Sequence, residues 1–77
     1  DREHELTVEE VEDEHFITIR HPMTKQHFIS FLAYVTSDRL QLVKFYPEGN
    51  GETRMQLRGR GAVYFYCNRH GLFRKKV

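Results

Sequence analysis

The only cysteine of the chain, Cys67, is followed three residues later by His70. At this spacing one tight turn can present a thiolate and an imidazole to the same metal ion. Asn68 and Gly71 suit such a turn, because both residue types tolerate positive φ. Upstream, His21-Pro22-Met23-Thr24-Lys25-Gln26-His27 supplies two further imidazoles around a short loop. Cys67, His70, His21 and His27 therefore form a candidate four-ligand set. Zinc suits a mixed Cys/His set best, and iron comes second. Each residue also has an ordinary explanation. A lone cysteine is commonly an inert buried thiol, and a histidine beside a proline is an ordinary loop residue. Their concentration carries the metal reading: there are five histidines in 77 residues, and three stand beside turn formers at expected strand ends.

The elements that must hold these residues read as β throughout. Residues 6–11 are branched and partly alternating, 12–14 are a polar turn, and 16–20 return as the second arm of a hairpin. Pro22 ends that strand, since it cannot donate to a ladder. Residues 28–36 are apolar and aromatic, which predicts a central strand buried on both faces. Residues 39–46 and 53–57 alternate, on either side of the loop signal Pro47-Glu48-Gly49-Asn50-Gly51. After the break at 58–61, residues 62–66 run into the Cys67 turn, and 72–77 form a last short strand. Seven short strands without a helix predict a small antiparallel β-sandwich.

Length allows one domain, spanning 1–77. A domain of this size buries roughly 60% of its unfolded surface and is marginal without a staple. One cysteine cannot form an intrachain disulfide, whereas a bound metal can act as the staple. The unpaired cysteine argues for a reducing compartment, and hence a cytoplasmic location. No apolar run reaches the ~18 residues of a membrane span. The chain begins at Asp1 rather than Met, so the domain is expected to be cut from a longer protein. Net charge is +1, which implies no nucleic-acid partner. The distribution is uneven: the first segment is acidic, and Arg54, Arg58, Arg60, Arg69, Arg74, Lys75 and Lys76 make the last third basic. Two solvated faces explain that pattern, and a positive rim steering a small anion is the sharper alternative.

Two motifs, His21-Pro22-Met23-x-x-x-His27-Phe28-Ile29 and Tyr66-Cys67-Asn68-x-His70-Gly71-Leu72-Phe73, resemble the superoxide reductase family. This is the catalytic domain of desulfoferrodoxin and neelaredoxin. The resemblance runs from about Glu3 to Phe73 and implies an immunoglobulin-like β-sandwich. It also implies one mononuclear iron, with four equatorial histidines and an axial cysteine thiolate. His21, His27, His70 and Cys67 match that set directly. The fourth histidine precedes the first hairpin in the family, which selects His4 in Arg2-Glu3-His4-Glu5-Leu6. His15 is the rival and reads as a surface histidine at the hairpin end. By resemblance the substrate is superoxide, reduced by one electron to hydrogen peroxide. The electron donor is rubredoxin-like, and homo-oligomers are common.

The chain departs from the family pattern in four places. Glu3 stands where the family has a lysine, Arg2 where it has a glutamate, Leu6 where it has a proline, and Phe73 where it has a tryptophan. The family lysine attracts superoxide and helps protonate the product. A carboxylate at Glu3 repels the anion, and Lys25 in the His21–His27 loop is the candidate replacement. Two alternatives stand beside the enzyme. One is a sensing or structural module of a larger protein that binds iron or zinc without turnover. The other is a metal-free interaction sandwich.

Overall fold

The computed structural model describes residues 4–77 as two antiparallel sheets and seven strands. β1 (Glu5–Val11) and β2 (Glu14–Arg20) form the expected hairpin, with β2 also pairing β5 (Glu52–Met55). The second sheet has the order β4-β3-β6-β7, with β4 (Leu40–Lys44), β3 (Ile29–Val35), β6 (Ala62–Cys67) and β7 (Gly71–Lys76). The β-sandwich predicted from the alternating runs is the observed fold, and no helix interrupts it among the described residues. The expected strands 39–46 and 53–57 are shorter than predicted, because their ends leave the ladders.

The core lies between the sheets. Leu6, Ile17, Ile19 and Met55 face inward from the first, and Leu32, Tyr34, Val63, Phe65 and Cys67 from the second. Burying each of the aliphatic, methionine and phenylalanine side chains among them is worth about 1.5–3 kcal/mol. The Tyr34 hydroxyl reaches the carbonyls of Arg58 and Gly59, both at 3.0 Å, so the segment between β5 and β6 is pinned from within. Gly61 is required there: a Cβ would lie 2.4 Å from the Val35 carbonyl oxygen.

The alternation along β3 is broken once. Its register against β6 shifts between Ile29 and Phe31. Strict alternation would put both side chains on one face. The bulge at Ser30 turns Ile29 into the core beside Cys67, while Phe31 stays on the outer face and stacks on Tyr66 at 5.9 Å.

That outer face of the second sheet is apolar. Leu40, Leu42 and Leu72 are more than half exposed on it. Cross-strand pairing fixes its composition: Lys44, Phe31, Tyr66 and Leu72 form the row nearest the β6–β7 turn, and Arg74 and Lys76 follow along β7. None of its four strands contains an Asp or Glu. The outer face of the first sheet carries Glu5, Glu9, Glu14 and Glu52, against Arg20 and Arg54.

The two sheets are tied at the β1 side by a cation. Lys75 Nζ donates to the Leu6 carbonyl at 2.8 Å.

Candidate metal centre

Three segments converge at one end of the sandwich: the residue leading into β1, the connection from β2 to β3, and the β6–β7 turn. They bring His4, His21, His27, Cys67 and His70 together, with their ligand atoms all within 4.8 Å of one another. The four residues of the two motifs, His21, His27, Cys67 and His70, meet here with His4, the residue selected as the fourth histidine by its place before the hairpin. His15 does not. It lies at the opposite end of β2, half-buried, where its Nδ1 accepts a hydrogen bond from the Leu57 amide at 3.2 Å. It is therefore a structural acceptor as well as a partly exposed histidine.

The four imidazoles are arranged as a square. Successive ring centroids are 4.8 Å (His4–His21), 4.4 Å (His21–His27), 5.0 Å (His27–His70) and 4.9 Å (His70–His4). The His4–His27 diagonal is 6.5 Å. The centre of that square is about half the diagonal from each ring, which matches an imidazole nitrogen bonded at about 2.1 Å to a central ion. His70 Nδ1 lies 3.3 Å from His27 Nε2 and 3.4 Å from Cys67 Sγ. Neighbouring ligands on one ion, bonded at about 2.1–2.3 Å and at right angles, sit about 3 Å apart. The donor set thus fits a single ion with four nitrogens around it and a sulfur. Cys67 is fully buried, so the sulfur approaches from the core, while His21 and His27 are half-buried and His70 is exposed.

Local contacts orient His21, His4 and the loop that carries His27. His21 Nδ1 is 2.6 Å from the Pro22 carbonyl oxygen. A carbonyl has no proton to give, so Nδ1 carries it and Nε2 keeps its lone pair for the ion. His4 stacks on Phe73 with centroids 4.1 Å apart and planes at 15°, and Phe73 stacks in turn on Phe65 at 5.5 Å. The residue at the family's tryptophan position thus holds one imidazole against the core. The His21–His27 loop closes on itself through Thr24: its amide donates to the His27 carbonyl at 3.0 Å, and its Oγ1 accepts from the His27 amide at 3.1 Å.

Asn68 was expected to help shape the turn after Cys67 by adopting positive φ. Instead Gly71 alone takes that conformation there, at φ 90°, and the Asn68 side chain reaches across to the other ligand segment. Its Oδ1 accepts from the Phe28 amide at 2.9 Å and its Nδ2 donates to the Gln26 carbonyl at 3.1 Å. Such a clamp has a sequence signal only in retrospect: an amide side chain beside a ligand can satisfy both a donor and an acceptor.

Lys25 lies in the same loop, with Nζ 3.5 Å from Glu48 Oε1 and both side chains largely exposed. The Glu48 amide also donates to the Met23 carbonyl at 2.6 Å. Glu3 and Arg2 lie outside the described residues. Of the cations considered for a steering rim, Arg69 sits in the ligand turn. Arg58 and Arg60 precede β6 at the far end of the sandwich, and Arg54 pairs with Glu14 at 3.7 Å.

Residues 4–76 match the family model described as Desulfoferrodoxin. A desulfoferrodoxin of Clostridium acetobutylicum is 35% identical over 60 residues, covering 78% of this chain and 48% of the relative. The chain therefore spans about half the length of that curated relative. Among solved structures, the superoxide reductase of Treponema pallidum aligns with a TM-score of 0.79 at 27% identity, over 97% of this chain and 67% of that one. The superoxide reductase (neelaredoxin) of Ignicoccus hospitalis aligns with a TM-score of 0.61 at 25% identity, over 96% and 79%.

Proposed function

Because the chain belongs to the desulfoferrodoxin family, we propose that it is a superoxide reductase-like domain that reduces superoxide to hydrogen peroxide at a mononuclear iron held by His4, His21, His27, His70 and Cys67. The observation that carries this reading is the square of four imidazoles with a buried thiolate beside it. Structural zinc sites are closed by four ligands. A fifth donor favours iron, with zinc as an occasional substitute.

Iron held there supplies the single electron that superoxide takes up, and an external carrier restores it. The chain's own residues set the conditions. Four neutral imidazoles bind the ion without cancelling its charge, so the site keeps its pull on an anion. The Cys67 thiolate donates electron density from the core side. The more exposed histidine side is where a small anion has access. Lys25 is the cation assigned to attract superoxide and assist protonation, the role in which Glu3 is unsuited. Its pairing with Glu48 is between exposed groups and is worth little, about 0–1 kcal/mol, so the ammonium remains mobile enough for that task. A rubredoxin-like carrier is the proposed electron donor, and the proposed setting is the cytoplasm. Domain 1–77 is proposed to be part of a longer chain, and an exposed sheet edge permits homo-oligomers. Among the described residues no helix is long and apolar enough to cross a membrane.

The test is metal analysis together with an optical spectrum of the oxidised protein. A thiolate-to-ferric charge-transfer band in the visible, lost in Cys67→Ser, is expected. A colourless protein that takes up only zinc would instead indicate a sensing or structural module.

A further inference from the structure

We propose that the outer face of the β4-β3-β6-β7 sheet, at its Lys44–Phe31–Tyr66–Leu72 end, is the docking surface for an acidic one-electron carrier protein. This rests on the reading of the site as a superoxide-reducing iron centre and names its partner surface. Each turnover there consumes one electron, which the domain does not hold, so a donor must approach the iron closely. On donation the carrier loses one electron and the oxidised iron gains it, with no bond made or broken.

Three observations select the face. The first is continuity with the site. Cys67 is fully buried, yet the residue before it, Tyr66, is 38% exposed and points to the opposite side of the sheet. A carrier seated on Tyr66 is one peptide unit from the thiolate residue. The second is apolar character. Leu42 and Leu72 are exposed at 65% and 58% and flank the stacked Phe31–Tyr66 pair. Contiguous exposed apolar surface of this kind marks an interaction site. The third is charge. Lys44 and Arg74 stand on the face, its four strands contain no Asp or Glu, and Lys44 is held at its rim over the Tyr46 ring at 5.6 Å. An apolar patch whose strand-borne charges are all cationic complements an apolar patch with an acidic border. Electrostatic complementarity of that kind speeds encounter between transient partners.

The experiment uses the iron-loaded protein with reduced rubredoxin as the carrier. Stopped-flow mixing follows loss of the thiolate-to-iron band, and a separate mixing of the reduced protein with superoxide follows its appearance. Lys44→Glu and Leu72→Ser lie on exposed positions and should fold normally. Each should slow re-reduction at least five-fold at low ionic strength, with the Lys44→Glu gap narrowing at high salt, while oxidation by superoxide is unchanged. In the zinc-loaded protein, rubredoxin should broaden the amide resonances of Phe31, Tyr66 and Leu72. Wild-type re-reduction rates in both variants would overturn the assignment, as would broadening confined to Arg69 and His70. If the Leu42→Ser change converts a dimer to a monomer in sedimentation, the face belongs to a second copy of the chain and the proposal fails. Failure of superoxide to oxidise the iron would refute the proposed reaction but leave the broadening test of the docking face standing.

Discussion

Asn68 and Phe28 are joined by two hydrogen bonds that run in opposite directions: the Phe28 amide donates to Asn68 Oδ1 at 2.9 Å, and the Asn68 amide donates to the Phe28 carbonyl at 3.1 Å. With the Asn68–Gln26 bond, they fasten the segment that ends in His27 to the turn that carries Cys67 and His70. Asn68→Ala removes the two side-chain bonds. It should cost about 1–2 kcal/mol of stability, since each net bond is worth about 1 kcal/mol. Metal affinity in a chelator competition should fall about 10-fold, the lower end for a residue that orients ligands. Asn68→Asp keeps the acceptor for Phe28 and should fall between wild type and Asn68→Ala.

Removing the metal with a chelator should lower the melting temperature markedly, because binding free energy is folding free energy when the site exists only in the fold. Each kcal/mol lost corresponds to about 4–8 °C for a domain of this size. His21→Ala combined with His27→Ala should destabilise the loaded protein more than Cys67→Ser. The loop between the two histidines is held largely by its ligands, whereas Cys67 is paired with Ile29 and Gly71 in the sheet. Equal melting temperatures with and without metal, measured by circular dichroism, would contradict the staple.

The seven strands were legible because their apolar residues alternate, at least in part, or run on without polar interruption. The ligands were legible because two compact motifs carry four of them. His4 needed the order of elements: it precedes the hairpin, and only β1 paired to β2 returns the chain to the same end as His21. The Ser30 bulge and the Asn68 clamp were not legible. Both depend on the register between strands distant in sequence, and the residues involved obey no local pattern. The purpose of the basic residues was also hidden, since charge runs say nothing about which end of a strand faces the site.

Phe73→Leu should keep most of the buried apolar area but lose stacking on His4. A cost of about 0.5–1.5 kcal/mol is expected, with weakened metal retention on dialysis. Phe73→Trp restores the residue usual in the family and should retain metal as well as the wild type does. Equal retention by Phe73→Leu would show that the stack does not position His4.

If Lys25 draws superoxide to the site, Glu48→Gln should help it. The 3.5 Å pair would be released and a negative charge removed. The second-order rate in pulse radiolysis should rise several-fold at low salt and converge with wild type at high salt, where the Debye length falls to about 3 Å at 1 M. Lys25→Ala should move the rate in the opposite direction. An unchanged rate in both variants would remove Lys25 from the reaction.

Lys75→Met leaves the alkyl stem but deletes the 2.8 Å bond to the Leu6 carbonyl. A loss of about 1–3 kcal/mol is expected for a charged donor at a partly buried site. Hydrogen exchange should show the β1 amides losing protection before those of β3 and β6.

The order of the ligands along the chain has a consequence for biosynthesis. Of the five, His4 is made first, while Cys67 ends β6, the strand before last, and His70 lies in the turn between β6 and β7. At roughly 5–20 residues per second of synthesis, the first imidazole waits roughly 3–13 s for the thiolate. During that interval His4, His21 and His27 are available to any metal, but the chain has no thiolate to offer it. Selection of iron over zinc therefore falls to the moment after β6 and β7 emerge, when the domain closes around whichever ion the completed set holds more tightly.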